Sequence, residues 1–264
     1  MHGSEAGSIV RTESRRWGRD TTAGIAGGTA VVLSAGLTFL AVSVAAAGGT
    51  DTGTGGVQLE TDGALTSASS SADLASLAQS AVTMLVPLVA VVIGAHFAGA
   101  EMTSGALLHV AVAARRLRVV FAVRAVSLAV IAGAVGALTA LAAIGAADVG
   151  VRAAGLLHLT AGTATGRTVA GAAASAAVIA LLTFALACLT RRSVIVLVVM
   201  LAYLVVIEPV IAGTIPDGAV WLPRSALTAL VRTDAEPLHA LPVLLAALGL
   251  VCIAVARCRR DRAA

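Results

Sequence analysis

Six apolar stretches of this chain read as membrane spans, the last of them short, and that pattern limits the fold more than any other feature. A helix needs about 20 apolar residues to span the hydrocarbon core. The qualifying stretches run at roughly Ala23–Ala47, Leu77–Phe97, Val119–Ala146, Thr168–Leu189, Val194–Gly213 and Leu241–Ala256, the last being the shortest. Inside lipid every backbone N–H and C=O must find its partner within the protein, which leaves helices as the spanning form for segments of this length. The expectation is an all-α integral membrane protein with six transmembrane helices. Composition agrees: 58% of residues are hydrophobic and only 12% charged, where a soluble domain is about half apolar and one quarter charged.

Arginine sets the orientation. All 18 basic residues are arginine, with no lysine anywhere. With the N-terminus placed inside, 14 of the 18 fall on the inner side, leaving Arg152, Arg167, Arg224 and Arg232 outside. The positive-inside rule therefore predicts that both termini are cytoplasmic. The segment 48–76 carries Asp51, Glu60, Asp62 and Asp73 but no basic residue, and its Gly/Ser/Thr-rich composition suits a flexible external loop. Residues 1–22 place Arg11, Arg15 and Arg19 at helical spacing, as a surface-lying amphipathic segment or a plain positive-inside anchor. Ala45-Ala46-Ala47 resembles a signal cleavage site, but the preceding apolar stretch is longer than the usual 7–15 residues. A transmembrane domain over 23–256 is followed by a basic tail, 257–264, and the expected setting is the bacterial cell membrane.

Several chemistries are missing. Without lysine there is no GxxxxGK[ST] phosphate loop. There is no HExxH and no glycine-flanked serine of the nucleophile-elbow type. Cys188, Cys252 and Cys258 form no CxxC pair, and His96 and His109, which flank Glu101, do not have the spacing of a recognised ligand set. No catalytic, cofactor or metal residues are assigned. The arginines lie beside apolar spans and read as topology signals rather than as a nucleic-acid surface. Gly133-Ala134-Val135-Gly136 and Gly171-Ala172-Ala173-Ala174-Ser175 offer small residues for close helix approach, without indicating which helices meet.

The segment between the second and third spans is the most distinctive. The second span ends in Gly94-Ala95-His96-Phe97-Ala98-Gly99-Ala100-Glu101. Gly105-Ala106-Leu107 follows, and then Arg115-Arg116-Leu117-Arg118 and Arg124 open the third span. Near the C-terminus stand Glu208-Pro209, Ile215-Pro216 and Trp221-Leu222-Pro223-Arg224-Ser225. Together with six spans and inner termini, this pattern resembles the permease subunits of type-2, exporter-type ABC transporters. Ala106, Leu108 and Ala114 depart from the threonine, arginine and proline frequent in that family.

The resemblance implies that residues 99–118 form an amphipathic coupling helix that docks on a separate ATPase subunit, through Glu101, Gly105, Arg115, Arg116 and Arg118. It implies a second permease copy or a homologue, ATP hydrolysis in the partner rather than in this chain, and a re-entrant external segment over 214–240. The bilayer itself is the other partner, since Arg115, Arg116 and Arg118 equally suit attachment to anionic lipid. Glu208, late in span five, is either a gate residue of the pathway or a carboxylate that satisfies backbone freed around Pro209. A non-transporting immunity or sensory component with the same fold, or an intramembrane enzyme, are the alternative functions.

Overall fold

The computed structural model describes residues 74–104, 117–153, 164–214, 222–231 and 241–260, together with scattered helical positions between Gly28 and Phe39. Most of the first expected span, the external loop, the connector 105–116 and the extreme ends lie outside the described residues. Among those described there is no strand. The elements are α1 (Leu74–Ser104), α2 (Leu117–Ala153), α3 (Ala164–Thr190) and α4 (Ser193–Ala202). A single π-turn (Tyr203–Ile207) joins α4 to α5 (Glu208–Thr214), and α6 (Pro223–Val231) and α7 (Leu241–Arg260) follow.

Four helical segments are long and apolar enough to cross a membrane: Ala81–Ala100, Phe121–Gly150, Thr165–Thr190 and Ser193–Thr214. The protein is membrane-embedded. A shorter apolar stretch, Pro242–Ile253, lies within α7 at the place of the expected last span. The helices run past the ends expected from hydropathy, because helix geometry continues into polar turns once the chain leaves hydrocarbon. At 1.5 Å per residue, the 31 residues of α1 and 37 of α2 are about 46 and 56 Å long, against a core about 30 Å thick.

In lipid, helices gain little from apolar contact alone, so close backbone approach must hold them together. Small residues supply it here. A Cβ at Gly136 would lie 2.6 Å from the Ala172 carbonyl oxygen and 2.8 Å from Ala176 Cβ; one at Gly94 would lie 2.5 Å from the Ala180 oxygen. α3 is thus gripped by α2 on one side and α1 on another, and α6 and α7 also pack on it. The small-residue runs noticed in the sequence form this interface. Where the bundle needs volume, Phe184 of α3 meets Phe97 edge-on at 5.5 Å and Phe121 at 5.3 Å. All three rings are buried, and such pairs add about 0.5–1.5 kcal/mol beyond area burial.

Three hydroxyls within the spans are satisfied by their own helices. Thr139, Thr183 and Thr190 each donate to the carbonyl four residues back, at 2.8, 2.8 and 2.9 Å, which removes the cost of an unpaired polar group in an apolar setting. α3 reverses into α4 through Thr190, Arg191 and Arg192. Arg191 adopts φ 58°, a left-handed conformation costly for a side chain with a Cβ, and its N–H closes the turn on the Ala187 oxygen at 2.8 Å.

Candidate functional site

The polar centre of the described structure is built around α6, a nine-residue helix lying against the spans. Pro223 opens it, which suits proline because the first helical N–H has no intrahelical acceptor. The other free N–H groups at that end need a partner, and Glu208 supplies one. Its Oε1 accepts from the Ser225 N–H at 2.8 Å and from the Ser225 hydroxyl at 3.4 Å. A carboxylate at a helix N-terminus also faces the positive end of the helix dipole. Glu208 is buried, 1% exposed, and its Oε2 has no hydrogen-bond partner.

The π-turn explains how Glu208 comes to point inward. Val196, Met200, Leu204 and Glu208 form the buried stripe of this span, spaced by four. Each step of four overshoots an α-helical turn by about 40°. The wider turn at Tyr203–Ile207 takes up part of that drift and keeps the fourth member on the bundle side. It also loosens the backbone ladder, and the Leu204 carbonyl accepts from Arg224 Nη1 at 3.3 Å. Arg224 therefore ties the start of α6 to the π-turn as Ser225 ties it to Glu208.

The far end of α6 is held by other helices. Gln79 of α1 donates to the Val231 oxygen at 3.4 Å, and Thr168 of α3 donates to the same oxygen at 3.5 Å. Arg167 of α3 reaches the Ala229 oxygen at 3.5 Å. Between these ends α6 rests on Gly171, where a Cβ would stand only 2.1 Å from the Leu230 oxygen. Both helix termini are thus complemented, an acid at the positive end and donors at the negative end.

Beside this brace lies a small cleft of about 110 Å³ lined by Met84, Pro87 and Leu88 of α1, Leu204 and Val205 of the π-turn, and Arg224. Pro87 sits inside α1, where its missing N–H and ring interrupt the hydrogen-bond ladder. No protein family, curated protein or solved structure matches this chain. The site must therefore be read from its own chemistry.

Of the residues expected to couple to a partner, Glu101 lies in the last turn of α1 and Arg118 is the second residue of α2. Gly105, Arg115 and Arg116 lie outside the described residues. Glu208, expected as gate or structural carboxylate, is placed as a helix cap for α6. Arg124 is buried, 1% exposed, within α2. Sequence reading missed the roles of Gln79, Thr168, Arg167 and Ser225. Leu222-Pro223 was a legible signal for the start of α6, since proline favours the first helical position; nothing in the sequence marked the carbonyl-capping residues.

Proposed function

We propose that this chain is the membrane-spanning permease subunit of an ATP-driven ABC exporter, with six spans, both termini cytoplasmic and ATP hydrolysis carried by a separate subunit. The observation that carries this reading is the pair α1 and α2. Each is longer than a bilayer core requires, and they turn back on each other through only 12 residues, 105–116. The turns facing that connector are polar or basic, with Glu101, Thr103 and Ser104 on one side and Arg118 on the other. A short arginine-bearing segment held by two rigid rods transmits a partner's rigid-body movement to both spans. In this orientation α6 and the Glu208 cap lie toward the external side, as a plug between spans.

Span Ser193–Thr214 is only 22% buried, and Val194, Val198, Val205 and Val210 face outward. That apolar face is available to a second permease copy as well as to lipid, in keeping with a dimeric pathway.

The test is co-purification of the tagged chain from its own host. A P-loop ATPase recovered with it, giving vanadate-sensitive ATP hydrolysis, and lost from the Arg115→Glu/Arg116→Glu double variant, is the expected result. ATP-dependent movement of a toxic compound in vesicles then separates transport from sequestration. If the native chain brings down no ATPase, or the double variant retains it fully, the docking role of this segment is wrong.

A further inference from the structure

We propose that the π-turn Tyr203–Ile207 is one register of a two-register switch, which caps the start of α6 in the register seen here and uncaps it in the other. This concerns the span Ser193–Thr214 and α6 alone and does not depend on the transport reading. In the π-turn the Glu208 N–H donates to the Tyr203 oxygen, five residues back, rather than to Leu204, four back. The next donor in that register, the one for the Leu204 oxygen, belongs to residue 209. That residue is proline and has no N–H. Arg224 Nη1 fills the place at 3.3 Å. Two dipeptides therefore interlock: Arg224 serves the carbonyl that Pro209 leaves without a donor, and Glu208 caps Ser225 at 2.8 Å. The same proline explains why the wide turn lies here, since in a regular helix its ring presses on the carbonyl four residues back, at Val205.

One slip changes every member of this set. When the Glu208 N–H moves from Tyr203 to Leu204, the segment becomes α-helical, the Ile207 N–H takes Tyr203, and each backbone donor keeps an acceptor. The incoming N–H displaces Arg224 from Leu204. Four residues advance about 70° further round the axis in the α register than in the π register. Glu208 therefore leaves the Val196, Met200 and Leu204 stripe and, with it, the Ser225 N–H. The rotation carries it toward the side of Val205, where the cleft lined by Leu204, Val205 and Arg224 offers room. Arg224 already acts electrostatically on Glu208 and is its counterion on that side, so the carboxyl is not stranded. The cap and the relief of Pro209 favour the π register; regular helix geometry favours the other.

Two variants of the full-length protein in detergent micelles drive the switch in opposite directions. Pro209→Ala removes the ring and gives the helix its missing donor, which favours the α register. Deleting Val206, whose side chain is 57% exposed, takes out the extra residue of the wide turn. Glu208 then follows Leu204 by three residues and stays on the bundle face, with its N–H on Tyr203 four back. Leu204 still faces Pro209 and still needs Arg224, so this form is capped and has no second register. Amide hydrogen exchange over residues 222–231, read by mass spectrometry, reports the cap, and α3 amides report that the bundle is intact. The expected result is exchange about fivefold faster in Pro209→Ala, the equivalent of one lost N-cap, and slower than native in the deletion, with α3 unchanged in both. Acceleration by both changes means that the segment merely supports α6 and overturns the switch. So does an unchanged rate in Pro209→Ala. Equal rates in the native chain and the deletion mean that the native chain has no uncapped register, and the proposal fails whether or not Pro209→Ala folds. In the native chain by itself, first-turn amides of α6 that exchange only as slowly as those of α3 overturn it too.

Discussion

Replacing Gly171 by alanine is the sharpest test of how α6 is seated. A Cβ there would lie 2.1 Å from the Leu230 oxygen, 2.5 Å from its carbon and 2.8 Å from the Val231 nitrogen. These are backbone atoms and cannot rotate away. Restoring an ordinary contact of 3.4 Å requires α6 to retreat by about 1.3 Å. The bonds from Gln79, Thr168 and Arg167 to the end of α6 already measure 3.4–3.5 Å, so that retreat breaks all three. Overpacking costs about 1–3 kcal/mol and each lost hydrogen bond about 0.5–1.5 kcal/mol. Against this, alanine in a helix interior gains about 1 kcal/mol over glycine.

The net expectation is a loss of about 3 kcal/mol, read by unfolding in mixed detergent–dodecyl sulfate micelles. Gly145→Ala is the matched control, since nothing lies within 4 Å of its added Cβ; it should be neutral or gain up to about 1 kcal/mol. If Gly171→Ala unfolds at the same denaturant fraction as Gly145→Ala, α6 does not rest on α3 and the brace described above is wrong.

Phe184→Ala should cost about 3–5 kcal/mol in the same assay, because its ring joins both Phe97 and Phe121; a loss below 1 kcal/mol would deny the three-ring core. Glu208→Ala should lose about 2 kcal/mol by leaving the Ser225 N–H uncapped, whereas Glu208→Gln keeps an acceptor and should lose less than half as much. A glutamine variant as unstable as the alanine one would show that the charge, rather than the cap, is what matters. Combining Glu208→Ala with Gln79→Leu should cost less than the sum of the single losses by at least about 0.5 kcal/mol, because α6 freed at one end gains little from the other. Strict additivity in that cycle would mean that the two ends are not linked through α6.

Much of this architecture could be read from the chain, and the parts that could not share a cause. Apolar length located the described spans to within a few residues, because crossing lipid is a property of each segment alone. Glycine and alanine runs announced close packing, yet Gly136 against Ala172 and Gly171 against Leu230 depend on which helices meet, and small residues are everywhere in so alanine-rich a chain. Glu208 stood out because a carboxylate in a span is costly anywhere. Its partner did not, since Ser225 donates mainly through its backbone, and a backbone N–H leaves no mark in sequence. The π-turn was equally hidden, because Tyr203–Ile207 reads as continuous helix.

The two ends of α6 are not held alike, and the difference has a direction. At its start the acceptor is a buried carboxyl oxygen at 2.8 Å from an N–H, a short bond in an apolar surround, where hydrogen bonds are strongest. At its finish three neutral or partly exposed donors reach carbonyls at 3.4–3.5 Å, close to the limit at which a hydrogen bond counts. Separating α6 from Glu208 would leave a carboxylate stranded in the bundle, the costlier outcome by far. Separating it from Gln79 and Thr168 strands only neutral groups. Because α6 also packs mainly on α3, it links the α4–α5 span, through Glu208, to the α1–α3 pair, through Gly171, Gln79 and Thr168.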